Sequence, residues 1–232
     1  MGADRGNATA AGILYFVTHV ASIAGLVLYG PVLGDRGYVT GGGADAQIFW
    51  GALLEVVTAV AVVGTAVALF PVAKRVNEGI ALGYVGLRVL EAGVIVVGIV
   101  ALLSVVTLRQ EAAGADGLVA VGAALVAVHD WTFLLGPNFV LGVNTVLMAY
   151  LMYRSRLVPR VIPVLGLVGG PLVFGSAVAV LFGVYEQVSG WGVLTAVPVF
   201  AWELGFAGWM VFKGFRARVP GPREESVTAL SA

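Results

Sequence analysis

Read from the amino terminus, the chain alternates long apolar stretches with short polar or glycine-rich breaks. Six stretches, Ala11–Leu33, Ile48–Phe70, Ile80–Leu108, Trp131–Tyr153, Ile162–Tyr185 and Trp191–Phe212, are long enough to cross a membrane. Each meets the roughly 20 apolar residues that a helix needs to span a bilayer core of about 30 Å. Gly34-Asp35-Arg36-Gly37 and Gly41-Gly42-Gly43 follow the first stretch, Pro71 ends the second, and Pro159 and Pro163 precede the fifth. A further apolar run, Gly117–Val128, makes only about 18 Å of helix, which is too short to cross. It is a short outer helix, a re-entrant piece or an extension of the fourth span. Gly136-Pro137-Asn138 and Gly169-Gly170-Pro171 are expected to interrupt the fourth and fifth spans, because such breaks persist in lipid only where protein or trapped water re-satisfies the backbone. Gly175, Ala179 and Gly183 stand four apart and read as a close-packing stripe.

The pattern predicts an all-α fold: a polytopic membrane bundle of six transmembrane spans with a short extra outer helix. Residues 1–215 form one transmembrane domain, and 216–232 are a polar tail expected to be disordered. Composition sharpens this. Of 232 residues, 59% are hydrophobic and 11% charged, with a mean hydropathy of +0.99, whereas a soluble domain carries about 25% charged residues. Net charge is zero and cysteine is absent. A nucleic-acid-binding protein, a disordered chain, a disulfide scaffold, thiol chemistry and Fe–S clusters are thereby excluded.

Orientation follows from the thirteen basic residues. Arg5, Lys74, Arg75, Arg154, Arg156, Arg160, Lys213, Arg216, Arg218 and Arg223 fall on one side, and only Arg36 and Arg109 on the other. Both termini are therefore expected in the cytoplasm, with the basic residues there touching anionic lipid head groups. Trp50, Trp131, Tyr185 and Trp191 mark the outer interface, and Tyr15, Phe70, Tyr153 and Phe215 the inner one.

The thirteenth cation, Arg88, lies within the membrane, where ionisable groups are costly and few. The others are His19 in the first span, Glu55 in the second, Glu91 beside Arg88 in the third and Glu203 in the sixth. His129-Asp130 opens the fourth span, followed by Asn138 and Asn144. At about 1.5 Å per residue, His19 and Arg88 come out roughly 12 Å from the inner end, and Glu91 and Glu203 near the midplane. Glu55 comes out nearer the outer end, with His129-Asp130 at the outer interface. Arg88 and Glu91 are three apart and share a helix face. Three deep acids against one permanent cation must be neutralised by protons, by His19 as a cation, or by a bound cation. Glu203 is the favoured exchanging group: it lies near the midplane beside Trp202, with Gly205 and Gly208 expected to allow close approach.

No cofactor or metal is expected. His19 and His129 lie at opposite depths and cannot ligate one haem iron from its two faces. No histidine spacing resembles a metalloprotease helix. Retinal needs an intramembrane lysine, and Lys74 and Lys213 stand at span ends. Gly41-Gly42-Gly43 lacks the Lys-Ser/Thr of a phosphate loop. Leu90-Glu91-Ala92-Gly93 echoes Trp202-Glu203-Leu204-Gly205, hinting at inverted halves of three spans with a site at the midplane.

The run His129-Asp130-Trp131-Thr132-Phe133-Leu134-Leu135-Gly136-Pro137 carries a resemblance. With Gly142-Val143-Asn144, Arg88-Val89-Leu90-Glu91, Trp202-Glu203 and Tyr153-Arg154-Ser155-Arg156-Leu157-Val158-Pro159-Arg160, it resembles the bacterial membrane family filed as domain of unknown function four-three-eight-six. The resemblance covers nearly the whole chain. It implies a multi-pass protein of the bacterial inner membrane and no particular activity. Three functions stay open: a small carrier or proton/cation-coupled membrane protein with a buried polar site, a non-catalytic accessory subunit, and an intramembrane enzyme using carboxylates as acid and base on a lipid or isoprenoid. A lipid bilayer and a small molecule or proton are the expected partners.

Overall fold

A computed structural model describes residues 2–41, 43–111 and 117–216. The polar tail predicted for the C-terminus lies, beyond residue 216, outside the described residues. Among those described, every regular element is a helix. α1 (Gly2–Leu28), the one-turn α2 (Gly30–Gly34), α3 (Asp45–Ala73), α4 (Glu78–Glu111), α5 (Leu118–Leu134), a π-helical turn (Leu135–Val140), α6 (Leu141–Ser155), α7 (Val161–Leu181) and α8 (Gly190–Phe212) follow in order. Six continuous helical stretches are long and apolar enough to cross a membrane, matching the six predicted spans.

The helix boundaries decide three of these readings, and one of them against expectation. The outer run 117–128 is no separate helix: α5, the π turn and α6 form one stretch, Leu118–Ser155, so this run extends the fourth span. The break expected at Gly136-Pro137-Asn138 takes the form of the π turn, where Asn138 Nδ2 donates to the Phe133 carbonyl at 3.1 Å, an acceptor to which Pro137, four residues on, has no N–H to offer. The break expected at Gly169-Gly170-Pro171 does not occur, and α7 runs through it.

Those two glycines serve packing instead. A Cβ on Gly169 would lie 2.6 Å from the Val199 amide nitrogen of α8, and one on Gly170 would lie 2.7 Å from the Gly142 carbonyl oxygen of α6. Backbone meets backbone at both crossings, so neither position has room for a side chain. A Cβ on Gly12 would meet the Ala207 carbonyl oxygen at 2.7 Å, fixing α1 against α8. The predicted stripe through Gly175 and Gly183 does not pack, since neither glycine has an atom within 4 Å of its Cβ direction. Gly183 is required for another reason: its φ of +70° ends α7 in a left-handed turn.

The helices close into a ring. α1 packs on α3, α3 on α4, α4 on α5 and α6, α6 on α7, α7 on α8, and α8 back on α1. Two apolar clusters fill it. One, at the end marked by Lys74, holds Tyr15, Leu69, Tyr84, Met148, Trp202 and Phe206. The other, at the end marked by Arg109, holds Tyr29, Tyr38, Ile48, Ile99, Leu102 and Val106.

Each end is laced by charge. Arg109 Nε donates to Asp45 Oδ1 at 2.8 Å and its Nη2 pairs with Oδ2, where Gln110 Nε2 also donates at 2.8 Å. Tyr38 Oη donates to Asp45 Oδ1 at 2.8 Å, so the start of α3, the end of α4 and the loop between α2 and α3 are held at one carboxylate. At the other end Arg75 grips Asp4 with two bonds of 2.8 and 2.9 Å. Arg5 Nη2 donates to the Val211 carbonyl at 2.8 Å, satisfying an acceptor in the last turn of α8.

Candidate functional site

α4 builds the base of the site. Tyr84, Arg88 and Glu91 follow at i, i+4 and i+7, so all three project from one face toward the centre of the ring. Arg88, 3% exposed, uses four of its N–H bonds there. Its Nε donates to Tyr84 Oη at 3.1 Å and Nη1 to Glu91 Oε2 at 3.3 Å. Its Nη2 donates to Tyr15 Oη at 3.0 Å and to Glu203 Oε1 at 3.3 Å. The two phenols hydrogen-bond each other at 2.9 Å, and their rings flank the guanidinium. Asn144 of α6 donates to Glu91 Oε2 at 2.7 Å. Three helices thus meet at one guanidinium, α6 joins through Glu91, and the two echoing glutamates sit on the same cation.

α1 adds His19, one turn after Tyr15. Its Nδ1 lies 2.8 Å from the Tyr15 carbonyl oxygen, and its Nε2 lies 3.3 Å from Glu203 Oε2. A carbonyl oxygen only accepts, so Nδ1 carries a hydrogen. A neutral ring then has its lone pair at Nε2, facing the carboxylate. The contact needs one proton, on the imidazole or on the acid. Glu203 therefore bridges a permanent cation on one oxygen and a titratable base on the other.

This pair forms the floor of a cavity of about 410 Å³ that continues toward the Arg109 end. Glu55, Tyr29, Thr58, His129 and Gln187 line it with mostly apolar neighbours. Near the floor α1 and α8 touch, but past it their wall residues Ile23, Val193 and Phe200 are exposed, and the cavity opens between these two helices. Within the cavity wall Tyr29 Oη and Gln187 Nε2 are buried and have no hydrogen-bond partner among the described residues. Glu55 takes part in no ion pair among them. Its Oε1 fills the space that a Cβ on Gly25 would occupy, 2.9 Å away.

The predicted site residues thus divide. Arg88, Glu91, Glu203, His19 and Asn144 converge; Glu55 faces the same cavity from α3, and His129 borders it from α5, packed edge-on against Tyr29 at 5.8 Å. Asp130 points away, with its side chain 64% exposed, and reaches only the outer nitrogen of His129 at 3.2 Å. Asn138 lines the cavity while its amide serves the π turn.

Two expectations are corrected. Tyr15, expected at the inner interface, is 1% exposed and belongs to the buried network. Gly205 and Gly208 give no close approach: a Cβ there would meet only Ile162 at 4.0 Å or nothing. The missed members were Tyr15, Tyr84, Tyr29 and Gln187. A signal for the first two was present, because each tyrosine lies one helical turn before a deep basic side chain, His19 or Arg88.

No curated protein and no solved structure matches the chain. The family model described as "Domain of unknown function" (DUF4386) matches residues 10–214, nearly the whole ring of helices and every residue of the polar network. The chain is a multi-pass membrane protein and belongs to that family.

Proposed function

We propose that the protein is a small proton-coupled carrier of the bacterial inner membrane, with both termini in the cytoplasm. The observation that carries this reading is the Glu203–His19 contact, a carboxylate oxygen 3.3 Å from an imidazole nitrogen at the floor of an open cavity. The charged and titratable groups around that pair are Arg88, Glu91 and Tyr84 of α4 and Tyr15 of α1, with Glu55 of α3, Tyr29 of α1 and His129 of α5 lining the same cavity. A carboxylate held by Arg88 alone would be a fixed charge. Coupling requires a carboxylate with a neighbour that can take or return a proton, and in this reading the imidazole of His19 is that neighbour.

The cavity is closed toward the Lys74 end by the Arg88 network and the apolar cluster below it, and its mouth lies past that floor, between α1 and α8. Exposure to one side at a time is the condition for alternating access. The π turn and the α7 and α8 prolines, Pro171 and Pro198, are places where these helices can bend without breaking further backbone bonds. Basic residues at the Lys74 end, Arg154, Arg156 and Arg160 among them, fit a surface against anionic lipid heads.

The test uses proteoliposomes that enclose a pH-sensitive dye and are challenged with a small-molecule extract of producing cells. Extract-dependent proton movement is expected from the wild type and is lost in Glu203→Gln and His19→Gln, both folded by size exclusion and circular dichroism. Equal proton movement in Glu203→Gln and wild type, or none in wild type, overturns the reading.

A further inference from the structure

We propose that the part of the cavity bounded by Glu55, Tyr29 and Gln187 binds a small lipophilic monoammonium ion, held by the Glu55 carboxylate with its apolar body against the cavity wall. This deepens the carrier reading by naming the cargo, and it rests on that reading. The charge inventory selects the sign. The acids facing the cavity are Glu55 and Glu203, and among the described residues no lysine or arginine lines it. Arg88 lies below the floor, already committed to Glu91 and Glu203. An anionic ligand would meet two carboxylates with no fixed cation to hold it, and a neutral one would leave an ionised Glu55 without a counterion.

The polar groups beside Glu55 suit a ligand that bears an N–H donor and an oxygen acceptor. Tyr29 is 2% exposed, yet its hydroxyl lines the cavity without a partner. That oxygen and the Glu55 carboxylate are two acceptors for one ammonium. The unpartnered Gln187 Nε2 leaves a donor for a hydroxyl or ether on the same ligand. A volume of about 410 Å³ lies within the range of small-molecule sites, roughly 300–1,000 Å³, and the walls are largely apolar. The opening between α1 and α8, flanked by Ile23, Val193 and Phe200, admits such an amphiphile from the lipid.

The site is also built around Glu55. Gly25 leaves room for its carboxylate, and Gly51 leaves room for the Tyr29 ring, whose atoms lie 2.9 Å from a Cβ placed there. Titratable groups facing Glu55 are His19 and Tyr29 on α1, His129 on α5 and Glu203 on α8, while α4 presents only Ile95, Gly98 and Ile99. Cation and proton therefore compete for one carboxylate.

The test is equilibrium binding of radiolabelled 1-adamantylamine to the purified full chain in nanodiscs, with no gradient present. 1-Adamantanol and 1-adamantanecarboxylate serve as neutral and anionic competitors with the same body. Saturable binding of one amine per chain is expected, weakening on acidification by up to about tenfold per pH unit, with the carboxylate not competing. Glu55→Gln should weaken binding at least about tenfold. Gly25→Ala, which displaces only a flexible carboxylate, should also weaken it while leaving the unfolding temperature near wild type. Glu78→Gln, remote from the cavity, should change nothing. Absence of saturable amine binding, equal displacement by the alcohol, or undiminished binding in folded Glu55→Gln overturns the proposal. Charge-selective binding at Glu55 without proton-coupled flux would sink the carrier reading and leave the site standing. Coupled flux without amine binding would do the reverse.

Discussion

The Arg88 network makes a quantitative demand on stability. Arg88→Met keeps a flexible apolar side chain of similar length but strands Glu91 and Glu203, which are 4% and 7% exposed. Glu203 then retains only His19 Nε2 at 3.3 Å, and Glu91 only the amide of Asn144 at 2.7 Å. Removing one partner of a buried pair costs about 3–5 kcal/mol, because the survivor stays buried and uncompensated. Glu91→Gln is milder: the amide keeps the shape, and Arg88 still has Glu203 and two phenols, so about 1–2 kcal/mol is expected. In the double variant the stranded charge of Glu91 is gone. Its cost should fall below that of Arg88→Met alone, giving a coupling of about 1.5–3 kcal/mol. Reversible unfolding in mixed micelles of mild detergent and dodecyl sulfate, followed by circular dichroism, measures each term. A double variant as damaged as the sum of the two singles would refute the argument, since the charges would then not interact.

Three further outcomes are expected. Gly169→Ala forces a Cβ to within 2.6 Å of the Val199 amide nitrogen and should destabilise the bundle by about 1–3 kcal/mol, whereas Gly175→Ala meets no atom within 4 Å and should be neutral; matched thermal melts decide. Burial, then the bond to Asp45, push the Tyr38 phenol up to about 12, above its usual value of 10, so the folded state favours the protonated phenol. Its contribution is full below pH 10 and lost as pH rises through about 12, so the stability gap between wild type and Tyr38→Phe should shrink across that window and stay constant below it. Single cysteines at Lys74 and Arg156 should be labelled only from the cytoplasmic side and one at Gly41 only from outside, with no native thiol to interfere; labelling in the opposite sense would reverse the orientation.

The apolar pattern by itself determined the number of spans and their class. The reason is the solvent: a bilayer leaves helices as the way to satisfy the backbone of about 20 consecutive apolar residues, so length and hydropathy suffice. Sequence also marked the chemistry, because an ionisable residue deep in a span stands out against its apolar neighbours. Arg88 and Glu91 were paired from their spacing alone, since three residues along one helix fixes the geometry.

What lay between helices was not legible. Depth placed Glu203 and His19 only roughly, and nothing in the sequence sets the rotation of α1 or α8 about its own axis. Their meeting was decided by tertiary contacts such as Gly12 against Ala207 and Gly169 against Val199, where the absence of a Cβ sets how closely two backbones approach. The same reasoning explains the glycines read wrongly: Gly175 has the spacing of a packing stripe and Gly205 and Gly208 follow Glu203, but none of them faces a neighbouring backbone. Tyr15 looks like an interfacial aromatic in sequence, and only ring closure of α8 onto α1 turns it inward onto Arg88. The cavity belongs to the assembled fold alone, because its walls come from helices far apart in sequence and its volume from side chains that stop short of one another.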